Sequence, residues 1–170
     1  NTNMSFIIFL LYLIATFIRP QEWVPFFFGK PLILILSIAT LVFLIFERIS
    51  KKEERLIKVP QNFLMLGLFF AVIMSHVAHT YFAGMIDSIK LFYVNVVLFF
   101  IILNVINTER KFKIALWFTV ILITLMAIQG IYQFNHGFGW AGQAMHKEGE
   151  ISRINWMGIF NDPNDLALTF

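Results

Sequence analysis

Ile114-Ala115-Leu116-Trp117-Phe118-Thr119-Val120-Ile121-Leu122-Ile123-Thr124-Leu125-Met126-Ala127-Ile128-Gln129-Gly130-Ile131-Tyr132-Gln133-Phe134 runs without a single charged side chain. A helix needs about 20 mostly apolar residues to cross the hydrocarbon layer of a bilayer, and this stretch supplies them. A helix at the surface of a soluble domain carries a polar face opposite its apolar stripe; here every face is apolar. Lipid is therefore the solvent this segment is built for. Immediately after it the chain changes character: residues 135–162 hold five of the nine glycines (Gly137, Gly139, Gly142, Gly149, Gly158) and two of the four tryptophans, Trp140 and Trp156.

Working upstream, four more apolar segments stand out, at about 4–18, 31–46, 63–82 and 86–106. The last two are long enough to cross unaided. The first two are short and draw on flanking residues, with Arg19, Lys30 and Arg48 snorkelling toward the interface. The first segment has no basic stretch before it and is followed by Arg19-Pro20-Gln21-Glu22-Trp23 instead of a small-residue cleavage site, so it reads as a retained span and not as a signal peptide. Downstream, residues 163–170 read as the start of a sixth helix. The expected fold is all-α, a polytopic transmembrane bundle of about five spans (4–18, 31–46, 63–82, 86–106, 114–134), an outer loop at 135–162 and the beginning of a sixth span. Met4 reads as a natural start, and the chain as a truncated piece of a longer protein.

Composition agrees. The 170 residues are 59% hydrophobic, 14% charged and include 21 Phe, with a mean hydropathy of +0.77; soluble domains carry about 25% charged residues. The net charge of +3 is not a nucleic-acid footprint, because the basic residues fall between apolar segments, where they set orientation. With alternating spans, residues 47–62 and 107–113 together carry eight Lys and Arg, and the opposite side carries five: Arg19, Lys30, Lys90, Lys147 and Arg153. Positive residues favour the cytoplasm, so the amino terminus is expected inside, and residues 19–30, 83–90 and 135–162 outside. Cysteine is absent, which excludes disulfides and thiolate metal sites.

Polar residues within or beside the spans are the functional suspects. His76 and His79 share a helix face but have no third ligand near them in sequence, and no metal is expected. Asp87 and Lys90 open the fourth segment, where an acid in the first turn complements the helix dipole; Lys90 also lies where it can attract an anionic headgroup. Gln129, Tyr132 and Gln133 end the fifth segment, either lining a polar cavity or marking the interface. In Asn161-Asp162-Pro163-Asn164-Asp165, Asp162 is a good N-cap, Pro163 suits the first helical position, and Asp165 can close a capping box. The aspartates would repel phosphate from that helix start, so Arg153, whose planar fork matches phosphate oxygens, is the better anion ligand in the loop.

The order of these features resembles a known family. Arg19-Pro20-Gln21-Glu22-Trp23 follows a first span and Pro60-Gln61 precedes a third. Gln129-Gly130-Ile131-Tyr132-Gln133-Phe134 is followed by a Gly-rich loop, then by Arg153 and Gly158-Ile159-Phe160-Asn161-Asp162-Pro163-Asn164-Asp165-Leu166-Ala167. The pattern is similar to the amino-terminal part of the O-antigen ligase and O-antigen polymerase superfamily of the bacterial inner membrane. That resemblance implies an enzyme that moves a glycan from an undecaprenyl-diphosphate carrier to an acceptor (lipid A, a growing polysaccharide or a protein) at the periplasmic face. It implies no nucleotide sugar, cofactor or required metal. It puts Arg153 in contact with the carrier diphosphate and leaves the remaining essential residues to a later loop, so this piece by itself is expected to be inactive. The competing expectation is a transporter or flippase with a substrate path near His76, His79, Lys90 and Gln129; a structural subunit without substrate is the third.

Overall fold

The structure, a computed structural model, describes residues 3–51, 60–149 and 151–169. Helix makes up 74% of it. The order is α1 (Met4–Phe17), α2 (Leu32–Lys51), α3 (Pro60–Ala78), α4 (Phe82–Val105), α5 (Glu109–His136), a hairpin of β1 (His146–Glu148) and β2 (Ile151–Arg153), and α6 (Pro163–Ala167). Short 3-10 turns at Pro20–Glu22, Pro25–Phe27 and Gly158–Phe160 bend the connectors.

Among the described residues, three helices are long and apolar enough to cross a bilayer: α2 over Leu32–Ser50, α3, and α5. This is a membrane protein with a helical body. The α1 helix and the Asn95–Val105 stretch of α4 are apolar but shorter. At 1.5 Å per residue, α1 is roughly 21 Å long, less than the roughly 30 Å of hydrocarbon.

Several boundaries differ from the sequence expectation, each for a local reason. The second segment was expected to be short, yet α2 runs on to Lys51 because its polar end is held. The Glu47 carboxylate accepts from the Ser5 amide at 2.9 Å and from the Ser5 hydroxyl at 2.7 Å, and Arg48 donates to Asn104 Oδ1 at 3.2 Å. Thr80 stops the helix before it, at φ 53, a left-handed conformation that β-branched residues rarely adopt. The following helix then starts at Phe82, so Asp87 sits in its second turn and not in its first. The basic residues Lys52, Arg55 and Lys58, which weighed in the orientation argument, lie outside the described residues.

The core is built around α1. Phe6, Phe9 and Tyr12, three residues apart, form its buried stripe and meet Leu44 of α2, Ile101 and Val105 of α4 and Ala115 of α5. In contrast, α3 packs on α4, where Phe69 stacks on Phe92 at 6.0 Å. The outward faces stay apolar: Leu64 is 72% exposed, Trp117 67% and Phe134 71%. Soluble monomers do not leave apolar surface of this extent uncovered; acyl chains can cover it.

The two ends of the bundle differ. At one end Ser5, Glu47, Arg48, Asn104, Asn107 and Lys111 form a polar cluster, with Lys111 Nζ donating to Asn107 Oδ1 at 2.8 Å. At the other end the last turn of α1, the 19–30 connector, the end of α5 and the 135–162 loop come together.

Candidate functional site at the loop end of the bundle

The loop leaves α5 through Gly137, which adopts φ 78 and donates its N–H back to Gln133; glycine takes this left-handed C-cap at no steric cost. A bridge between Phe138 and Ala144 closes the first turn. The chain then forms an antiparallel hairpin pairing His146 with Arg153, Lys147 with Ser152 and Glu148 with Ile151. Gly149, at φ 63, starts its two-residue turn, a position that glycine favours in hairpins. The sequence reading had this stretch as loop throughout. Strand alternation over three residues is too short to register as a pattern.

Gln133 docks the far side of the loop onto α5. It is fully buried; its Nε2 donates to Asn155 Oδ1 at 2.9 Å, and its Oε1 accepts from the Asn155 amide at 3.0 Å. Asn155 continues to Asn161 Oδ1 at 3.1 Å. A buried amide satisfied on both atoms holds a loop firmly, because breaking the contact strands polar groups. Of the two roles expected for Gln133, neither cavity wall nor interface mark describes it: it is a clamp. Tyr132 stacks on His136 at 4.1 Å. Gln129 is buried beneath Gly139, and its amide has no protein partner among the described residues.

The same loop grips α1. Trp156 Nε1 donates to the Phe17 carbonyl at 2.7 Å, and Phe160 stacks on Phe17 at 5.6 Å. Together with Met126 and Leu166 these rings form a second apolar cluster. Arg19, at φ 54 just past the end of α1, pairs with Glu22 and lays its guanidinium against Gly158. Any Cβ at position 158 would overlap that guanidinium. Two of the stretches that carry the resemblance, 19–23 and 158–167, thus meet in space through Arg19 and Gly158, beside the Phe17–Phe160 stack.

Beside this junction lies a cavity of about 460 Å³ between α1, α2 and α4. Arg19, Gln21 and Lys30 line it from the 19–30 connector, and Ile33, Ile38, Leu41, Val97 and Ile101 line it from α2 and α4. Lys30 Nζ sits 4.1 Å from the Phe26 ring centre.

Arg153 lies on β2, 40% exposed, and its guanidinium approaches Glu148 Oε2 at 3.2 Å. Lys90 lies in α4, one turn before Tyr93 of the cavity wall; its side chain is outside the described residues. Asp162 is the expected N-cap, accepting from the Asn164 amide at 2.7 Å with Pro163 at the first helical position. The reciprocal bond from Asp165 to the Asp162 amide does not form among the described residues. His76 Nε2 lies 2.7 Å from Ser88 Oγ, and His79 Nδ1 2.8 Å from the Ser75 carbonyl. Among the described residues no group of three or more His, Asp or Glu is placed to hold a metal ion.

The residues that sequence reasoning did not single out as a site are Arg19, Gln21 and Lys30. Arg19 and Lys30 figure there as snorkelling and orientation charges, and Arg19 also as the first residue of the Arg19–Trp23 motif. The signal was present in Arg19-Pro20, an Arg that ends a span and is barred from continuing it by the proline, but nothing in the sequence says that Gly158 is its neighbour. No family model, curated protein or solved structure matches this chain.

Proposed function

We propose that this chain forms the amino-terminal part of a multi-pass enzyme of the bacterial inner membrane. It would cross the membrane about five times and begin a sixth span, with its amino terminus in the cytoplasm and the 135–162 loop in the periplasm. Its activity is the transfer of a glycan from an undecaprenyl-diphosphate carrier to a hydroxyl of a lipid, glycan or protein acceptor. The observation that carries the reading is the junction of Arg19 with Gly158 and of Phe17 with Phe160. It unites, at one end of the bundle, two of the segments on which the resemblance to O-antigen ligases and polymerases rests.

The chemistry suits such a place. The acceptor oxygen forms a bond to the anomeric carbon as the carbon–oxygen bond to the diphosphate breaks, and the diphosphate departs with the electron pair. Cations fixed near the departing oxygens stabilise the developing charge. The hydroxyl proton passes to a base, which the resemblance assigns to a later periplasmic loop. Arg153 is the diphosphate ligand in this reading, with Lys90 as the second cation. Glu148 does not bar it: an exposed ion pair contributes only about 0–1 kcal/mol, so a doubly charged diphosphate can take the guanidinium over.

The test is transfer by the reconstituted full-length protein, given a lipid-linked oligosaccharide and an acceptor. Arg153→Ala is expected to lower transfer about 10- to 100-fold, the loss of a charge-assisted contact of about 1.5–3 kcal/mol. Unchanged transfer would remove Arg153 from the site. Absence of transfer with the unaltered protein would favour transport.

A further inference from the structure

We infer that the cavity between α1, α2 and α4 is a binding site for an anionic amphiphile, with its phosphate between Arg19 and Lys30 and its hydrocarbon chain along Ile33–Leu41. The site is separate from Arg153, and the inference does not depend on glycan transfer.

The cavity has the polarity of such a ligand. Its volume of about 460 Å³ falls in the range of small-molecule sites, roughly 300–1,000 Å³. Its charged groups, Arg19 and Lys30, come with Gln21 from the connector that follows α1, while Tyr12, Ser37 and Tyr93 are the other polar residues of its lining. Beyond them the walls are Leu32, Ile33, Ile38 and Leu41 of α2 and Val97, Leu98 and Ile101 of α4. From Leu32 to Leu41 the helix rises roughly 14 Å, an apolar trough that begins at the connector and runs into the body of the bundle. A chain-bearing phosphate presents the same sequence of chemistries, charged at one end and apolar for its length.

Charge favours an anion there. Arg19 is largely covered and already holds Glu22, but a guanidinium has five donors, more than one carboxylate uses. Lys30 is exposed and engages only the face of Phe26 among the described residues. The three charges of Arg19, Glu22 and Lys30 sum to one positive. Gln21 adds a buried Oε1 with no partner among the described residues, an acceptor for a headgroup hydroxyl. Arg19, being largely covered, acts on an anion more strongly than it would in water.

The site is tested on the purified full-length protein in a neutral sugar detergent. Dodecyl phosphate, inorganic phosphate and dodecanol are added separately, and thermal unfolding and equilibrium binding are measured. Dodecyl phosphate is expected to bind and to raise the unfolding temperature, with neither inorganic phosphate nor dodecanol matching it at equal concentration. Lys30→Gln is expected to weaken that binding about tenfold, one charge-assisted contact. Arg19→Gln disturbs the Gly158 junction, so Ile38→Trp, which fills the trough from an exposed position, serves as the second probe and is expected to abolish binding. Equal stabilisation by inorganic phosphate would reduce the site to an anion site without a chain. Undiminished binding in Ile38→Trp would place the chain elsewhere. Either result overturns the inference.

Discussion

Gly158 and Gly142 separate two reasons for needing glycine. Both adopt positive φ, 62 and 78 degrees, but a Cβ at Gly142 would meet open space, whereas one at Gly158 would collide with the Arg19 guanidinium. Backbone strain alone costs about 1 kcal/mol or somewhat more for alanine at such a position. We expect Gly142→Ala to lower thermal stability slightly. Gly158→Ala should lower it further, because the Arg19 guanidinium must also leave its seat against position 158, while Trp156 and Phe160 still hold the loop on Phe17. Equal losses in the two variants would mean that the Arg19–Gly158 contact contributes nothing. The same contact explains what was legible here. The role of Asp162 as an N-cap follows from four consecutive residues and was read correctly. The neighbourhood of Arg19 depends on a residue 139 positions away in the chain, and no local pattern encodes it.

At the scale of elements, α1 is the weak member, only 14 residues long. Its N-cap residue, Asn3, makes no side-chain cap bond, and the first-turn amide of Ser5 is satisfied instead by Glu47 of α2. A helix start left without its acceptor is costly away from water. Glu47→Ala is therefore expected to destabilise the bundle by about 1–3 kcal/mol. Glu109→Ala, which removes an exposed pair with Lys113 within α5, should cost no more than about 0.5 kcal/mol. Comparing the two unfolding temperatures in one detergent checks this; parity would mean that the α1–α2 joint is not formed. Sequence periodicity was silent on this joint because both helices are apolar all round. The buried face of α1, through Phe6, Phe9 and Tyr12, is chosen by what stands opposite, not by any polar contrast along the helix itself.

For the whole molecule, the decisive arrangement is that the 19–30 connector and the 135–162 loop share one end of the bundle, while Glu47, Asn104 and Lys111 share the other. The 28 residues of α5 span roughly 42 Å, enough to separate the two ends across a bilayer. Because the chain has no cysteine, single cysteines report position cleanly. Cysteines replacing Glu22 and Lys147 are expected to react with an impermeant thiol reagent from one side of a sealed membrane, and one replacing Lys113 from the other. Labelling of Lys113→Cys and Lys147→Cys from the same side would break the proposed topology.

What the sequence determined by itself is the solvent and the material: apolar stretches of about 20 residues suit helices that satisfy their own backbone in lipid, and Asp162-Pro163 suits the start of one. What only the tertiary structure decided is the facing of those helices, the β1–β2 hairpin, and the meeting of Arg19 with Gly158 and Lys30 around an apolar trough. The physical reason is one of range. Backbone satisfaction and capping are settled within a few residues, whereas contacts between apolar surfaces are alike in character and are selected only by the shapes that distant segments present to one another.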